Sequence, residues 1–111
     1  MDEINQYRQI INQVLVPCTK ISYANANIQN RLVIDEKHDQ YWVISEGWQN
    51  NRRYHSVLIH VEMIDSKIWI QCDNTEEGIA QDLLNSGVPK EEIVLGFQEP
   101  QVRSYTGFAV A

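Results

Sequence analysis

Residues 74–97 read NTEEGIAQDLLNSGVPKEEIVLGF, a segment in which a strand gives way to helix. Asn74 is a favourable N-cap, and Glu77 three residues later completes the pattern of a capping box. The apolar residues that follow recur at helical spacing and form one stripe: Ile79, Ala80, Leu83 and Leu84. Gly87 suits the left-handed conformation that ends a helix, and Pro89 suits the first position of a second helix. The segment therefore predicts C-terminal helices and supplies no catalytic groups.

Length and composition indicate one soluble domain over residues 1–111. Hydrophobic residues make up 43% of the 111 residues and charged residues 22%, which is ordinary for a globular protein. No apolar run approaches the roughly 18 residues that a membrane-spanning helix needs. The first residues, Met1-Asp2-Glu3, lack the basic and apolar regions of a signal peptide. We therefore predict a cytoplasmic protein without a membrane partner.

The charge balance argues against autonomous binding to DNA. Fifteen acidic residues against nine basic ones give a net charge of −6, whereas affinity for DNA comes largely from lysine and arginine. Candidate phosphate contacts are confined to Arg52, Arg53 and Arg103. A small nucleic-acid-binding regulator that uses these arginines is the alternative function.

Hydrophobic periodicity predicts an α+β fold with an N-terminal helix and four strands. Apolar residues at helical spacing indicate a helix over residues 2–16, begun by Asp2 and ended by Pro17. Period-two patterns rich in Val, Ile, Trp and Tyr indicate strands at residues 31–36, 40–49, 53–65 and 67–73. The short polar breaks between them predict an antiparallel meander, with the N-terminal and C-terminal helices packed on one face.

Two-residue turns at Asn50-Asn51 and Asp65-Ser66 predict a register for this sheet. They place four pairs opposite each other on the face that the helices cover: Ile44–Val57, Trp42–Ile59, Val61–Ile70 and Met63–Ile68. Cys72 joins them on this face, and His60 lies opposite Gln71 on the other. The register thus concentrates apolar side chains under the helices.

The opposite face of the predicted sheet remains unusually apolar. It carries Tyr41, Val43, Tyr54, Leu58 and Trp69 between polar residues. Either a terminal segment of the chain covers this face or another subunit does, because sizeable exposed apolar patches mark interaction sites.

Candidate catalytic and metal-binding residues are few. His38, His55 and His60 have no zinc-type spacing, so no metal site and no cofactor are predicted. Glu46 and His55 are expected to be cross-strand neighbours close to Arg53, which is a typical ion cluster and also a conceivable acid–base group.

One short pattern matches a nuclease class. Asp65-Ser66-Lys67 fits D-x-K, but aspartate and lysine are equally typical of a hairpin turn. We predict that the protein is not an enzyme.

Nearly the whole chain resembles the XisI family of fdxN element excision controlling factors. The resemblance rests on DEINQYRQIINQVL, on the segment from YANANIQNRLVIDEKHDQYW to EEIVLGF, and on RSYTGFAVA. The family often has Asp-Gly-Lys where this chain has Asp65-Ser66-Lys67. The resemblance implies involvement in controlling a programmed, site-specific DNA excision that a separate recombinase performs. It carries no catalytic residues over to this chain.

The same resemblance implies a protein partner. XisH, a companion factor similar to restriction-endonuclease-like folds, is often encoded alongside XisI, so we predict an XisH-like partner and only indirect contact with DNA. The candidate interface is Tyr41, Val43, Leu58 and Trp69, with Phe108 and Val110 of the C-terminal tail as a second surface. This tail also suits a final strand or plug on the domain's own core. A homodimer through either surface is predicted as well.

Overall fold

The computed structural model describes residues 3–24 and 26–111. Its helices are α1 (Glu3–Leu15) and α2 (Ala80–Asn85), with short 3₁₀ turns at Val16–Lys20, Lys90–Glu92 and Arg103–Tyr105. Its strands are β1 (Asn27–Asp35), β2 (Gln40–Gln49), β3 (Arg52–Ile64), β4 (Lys67–Asp73) and β5 (Ile93–Leu95). Within the described residues, no helix is both long and apolar enough to cross a membrane.

The strands form one sheet in the order β1-β2-β3-β4-β5. β1 to β4 make the predicted antiparallel meander, so the α+β class is confirmed. β5 lies parallel to β4, which makes the sheet mixed, and the prediction of four strands is incomplete. The predicted second C-terminal helix is only a 3₁₀ turn, because Ile93 and Val94 leave it to become fully buried beside β4.

The helices cover one face of the sheet. Four residues of α1 are buried at helical spacing: Tyr7, Ile11, Val14 and Leu15. They share one core with strand residues such as Ile59, Ile68 and Ile70, and with Leu83 of α2. The predicted N-terminal helix is therefore confirmed from Glu3 onward, whereas its expected start at Asp2 lies outside the described residues.

The helix predicted to begin at Asn74 begins later. The Asp73 carboxylate accepts hydrogen bonds from the backbone N–H of Thr75 at 3.0 Å and of Ile79 at 2.7 Å. This holds residues 74–78 as a loop and leaves α2 only six residues long. The capping box of Asn74 and Glu77 is therefore wrong, because the carboxylate at the end of β4 captures the first amides instead. Gly87, at φ +100°, follows α2 as predicted.

Both predicted hairpin turns form. Asn50, Asn51, Asp65 and Ser66 all have positive φ between 50° and 66°, as a tight hairpin turn with the right-handed twist of its strands requires. Asp65-Ser66-Lys67 is accordingly part of a turn and the start of β4.

Between these turns a bulge changes the predicted register of β2 and β3. Ile44 lies opposite Val57 as predicted, but Ile59 lies opposite Val43 and not opposite Trp42. β3 thus contains one extra residue between the two pairs. Compared with a regular strand, such an insertion turns the side chains that precede it to the opposite face of the sheet.

The bulge reverses the predicted placing of several side chains. Tyr41 and Val43 point into the core, where they are 3% and 0% exposed. Their assignment to the face away from the helices is wrong, because β3 carries Leu58 as the extra residue. Leu58 itself is partly buried against the core.

A second bulge shifts the end of β4. Two of its pairs form as predicted, Val61–Ile70 and Met63–Ile68. Beyond them His60 lies opposite Cys72 and not opposite Gln71. Cys72 therefore shares the face of His60, and its predicted place under the helices is wrong.

Glu92 gives the fold a dependence on pH. Burial and the neighbouring Glu3 carboxyl raise the pKa of Glu92 above its ordinary value of 4.5. When folding raises the pKa of a carboxyl group, the folded state loses stability as the pH rises from the pKa of the unfolded state through the pKa of the folded state. We expect Glu92→Gln to raise the melting temperature at pH 7 and to leave it nearly unchanged at pH 4.

Thermal melts at the two pH values check this expectation. The control is Glu91→Gln, which removes the same charge from an exposed neighbour. An equal rise in melting temperature for both variants at pH 7 would show that only net charge matters.

Candidate protein-interaction surface

We call the side of the sheet away from α1 and α2 the outer face. Directly opposite residues of an antiparallel pair project to the same side, so the pairing fixes its members. They include Arg31, Val33 and Asp35 of β1, Gln40, Trp42, Ile44, Glu46 and Trp48 of β2, Arg53, His55, Val57, His60 and Glu62 of β3, and Trp69 and Cys72 of β4.

Apolar groups occupy the middle and one end of the outer face. Val33 is 43% exposed, Val57 38% and Trp48 53%. Trp42 and Ile44 lie between them, half-buried. The cross-strand pairs Val33–Trp42 and Ile44–Val57 bring these four side chains together.

A hydrogen-bonded chain of polar side chains adjoins this apolar area. Gln40 Oε1 accepts a hydrogen bond from His60 Nε2 at 2.8 Å, and the Gln40 amide nitrogen donates to Glu62 at 3.0 Å. Glu62 also accepts from the Gln71 amide at 2.7 Å. These bonds hold each group in one orientation, so the surface is preorganised for contact.

His60 links the polar chain to the aromatic area. Its ring stacks on Trp42, with centroids 4.8 Å apart and planes 9° from parallel. Burial in this stack lowers the pKa of His60, with an opposing contribution from Glu62. The imidazole is thereby favoured in its neutral form.

Glu46 organises the hairpin end of the outer face. It lies opposite His55, as predicted, and pairs with Arg31 Nε at 2.7 Å and with Arg53 Nη2 at 3.8 Å. Arg53 also lies over the Trp48 ring at 5.5 Å from its centroid. These residues border a shallow groove of about 330 Å³. The cluster is a network of ion pairs with a cation–π contact at its edge.

The C-terminal tail covers the β4 end of the outer face. Arg103 lies over the Trp69 ring at 5.2 Å and donates hydrogen bonds to the carbonyls of Gln98 and Gly96. Ala109 forms a parallel bridge with Val94, as expected for a strand or plug on the domain's own core.

The predicted interface residues thus end in different surroundings. Tyr41 and Val43 are core residues, Leu58 and Phe108 are partly buried against the core, and Trp69 is half-covered by the tail. Val110, 54% exposed, is the accessible member of the tail pair. The structure does not bring these six residues together on one surface.

Sequence reasoning missed Trp42, Ile44 and Val57 as members of the exposed face. It placed them under the helices because β2 is apolar on both faces, so its own period cannot reveal which face is buried. The histidines are also dispersed: His38 bonds Asp35 at 2.7 Å in a turn, away from His60. Among the described residues, no three His, Cys, Asp or Glu side chains are grouped for a metal ion.

Comparison with known proteins decides the family. A profile of the XisI protein family matches residues 1–110. The chain belongs to the XisI family. No curated protein sequence matches it.

Two solved structures share its architecture over nearly their full lengths. The fdxN element excision controlling factor XisI from Anabaena variabilis ATCC 29413 is 32% identical, with a TM-score of 0.84 over 99% of this chain and 100% of the other. A XisI-like protein from the same organism is 32% identical, with a TM-score of 0.87 over 97% and 99%. The XisI fold is therefore common to all three.

Proposed function

We propose that this XisI-family chain is a non-catalytic controlling factor for site-specific excision of a DNA element. In this proposal it acts by binding another protein through the outer face. The partner that we predict is an XisH-like protein. The family name and the relative named as an excision controlling factor support the biological role.

The observation that carries the binding mode is the make-up of the outer face. Exposed Val33 and Val57 lie beside the half-buried Trp42 and Ile44, Trp48 extends the apolar area to the hairpin end, and fixed polar side chains border it. An apolar centre with a polar rim is the usual anatomy of a protein interface. Aromatic residues at such a centre commonly carry most of the binding energy.

Two of the three arginines of the alternative function make contacts within the chain. The Arg103 guanidinium donates hydrogen bonds to backbone carbonyls and lies over the Trp69 ring, and Arg53 lies beside Glu46. Arg52 is exposed. Since a DNA-binding surface requires free cations in number, these contacts favour a protein partner over direct binding to phosphates.

The test is co-expression with an XisH-like protein from the same genome, followed by light scattering after gel filtration. We expect a mixed complex with the wild-type chain. We expect Val57→Asp to weaken it at least about tenfold, because a carboxylate in the apolar centre of an interface is desolvated without a partner.

Val16→Asp is the matched control. Val16 is 37% exposed, close to the 38% of Val57, but lies in the 3₁₀ turn after α1. Equal loss of the complex with both variants would contradict the outer face as the binding surface. Separate elution of the two wild-type proteins, with DNA binding by this chain that weakens steeply with salt, would favour the alternative function.

A further inference from the structure

β1 is an edge strand whose C-terminal half has an open side. β1 pairs with β2 over nine consecutive positions without a bulge. Its first half is flanked by the preceding segment, because the Asn30 amide donates to the Cys18 carbonyl at 2.9 Å and to the Tyr23 hydroxyl at 3.0 Å. In the described parts of the chain, residues 31–35 make backbone hydrogen bonds to no element besides β2.

The open side has the properties of a pairing template. Proteins usually protect a strand edge with proline, a bulge or a covering segment. Residues 31–35 read RLVID and contain neither proline nor bulge. Val33 and Ile34 are 43% and 38% exposed on opposite sides of this strand. A second strand laid along this edge would therefore cover apolar side chains on both faces of the sheet.

We propose that this edge pairs antiparallel with the same edge of a second copy of the chain, with Val33 opposite Val33 of the second copy. This register places Arg31 opposite Asp35 of the second copy on the outer face. It places Leu32 opposite Ile34 of the second copy on the helix side. By two-fold symmetry, each of these pairs occurs twice.

Other symmetric registers fit the edge less well. A register centred on Arg31 sets like charges opposite each other, which is destabilising. One centred on Leu32 leaves Arg31 opposite valine and extends into the flanked residues 29–30. One centred on Ile34 pairs only residues 33–35. The Val33-centred register uses the whole open segment and pairs its two opposite charges.

The charged groups have capacity for this contact. The Arg31 side chain is 66% exposed and contacts Glu46 through Nε, and the Asp35 side chain is 40% exposed and contacts His38. Both side chains lie at the surface, where a further partner adds to the existing pairs. The dimer joins two five-stranded sheets into one and makes the two outer faces continuous.

This interface differs from both surfaces from which a homodimer was predicted, the opposite face and the tail. It does not depend on the partner role proposed above. A strand from a different protein is the competing occupant of the edge.

Disulfide trapping tests the register. Directly opposite residues of an antiparallel pair have Cα atoms about 4.5–5.5 Å apart, within the disulfide range of about 4.4–6.8 Å. We expect oxidised Val33→Cys to yield at least ten times more covalent dimer than Val57→Cys, with the bond located at position 33 by mass spectrometry. Val57 matches it closely in exposure and lies away from the edge. Equal cross-linking of the two variants would overturn the proposal.

Charge reversal supplies the second test. Sedimentation equilibrium is expected to show a wild-type dimer of the 12.9 kDa chain, weakened at least tenfold by Arg31→Asp or by Asp35→Arg alone. Mixing the two variants restores opposite charges at both pairs and is expected to give a mixed dimer. Circular dichroism of each variant verifies its fold. A monomeric wild type, or singly substituted chains that dimerise like wild type, would overturn the proposal, and so would an edge occupied only by a different protein.

Discussion

Val43→Asp is expected to leave no folded protein at 25 °C, whereas Ile44→Asp, one residue away, is expected to fold. Val43 is completely buried beneath the helices, while Ile44 is half-buried on the outer face. A buried carboxylate without a partner costs more than about 4 kcal/mol. That approaches the whole stability of a small domain, about 5–15 kcal/mol. At the outer face the same charge keeps contact with water.

Urea denaturation followed by tryptophan fluorescence measures both variants, since the chain contains three tryptophans. The comparison discriminates between two registers. Regular strands without a bulge would place Ile44 in the core and Val43 outside, and so would predict the reverse order of stability. A folded Val43→Asp beside an unfolded Ile44→Asp would contradict the observed faces.

The two bulges explain why strand positions were predictable and strand faces were not. β2 and β4 match their predicted bounds, because turn residues with a tolerance for positive φ mark their ends. Faces depend on an inserted residue such as Leu58, which has no local signature. In β2 four consecutive residues are apolar, Tyr41, Trp42, Val43 and Ile44, so hydrophobic periodicity within the strand does not reveal which face lies in the core.

The unforeseen bulge also explains why the interaction surface was predicted incorrectly. Because the bulge was not foreseen, β2 was assigned to the wrong faces: Tyr41 and Val43 were taken as exposed, and Trp42 and Ile44 as buried. Leu58 and Trp69 were placed by pattern alone, and neither the covering by Arg103 nor the contact with the core is readable from spacing. The cross-strand pair of Glu46 and His55 was predictable, since it lies on the turn side of the bulge.

The predicted and observed starts of α2 differ because two possible caps compete for the same backbone amides. Asn74 and Glu77 follow the pattern of a capping box, yet Asp73 lies at the end of β4, where the sheet fixes its backbone. A charged acceptor held in place by a strand forms stronger hydrogen bonds to amides than a neutral asparagine does. Its position relative to the amides emerges only after the sheet has formed.

Asp73→Ala is accordingly expected to cost about 3 kcal/mol of unfolding free energy, from a lost cap and an unsatisfied buried amide. The carboxylate receives bonds from Thr75 N–H and Oγ1–H and from Ile79 N–H, and Ile79 is only 2% exposed. Asp73→Asn keeps one oxygen as an acceptor and is expected to cost about half as much. Urea denaturation gives the free energies, and Asp82→Ala, an exposed position in α2, is the control.

Hydrogen exchange extends this test from the whole domain to the element concerned. Because the carboxylate joins the end of β4 to the beginning of α2, its loss should raise exchange in α2 more than in the amides shared by β2 and β3. A uniform rise in exchange would mean that Asp73 acts only on global stability. A loss below about 1 kcal/mol, the size of an ordinary hydrogen bond, would show that Asn74 and Glu77 can take over the cap, as their sequence pattern suggests.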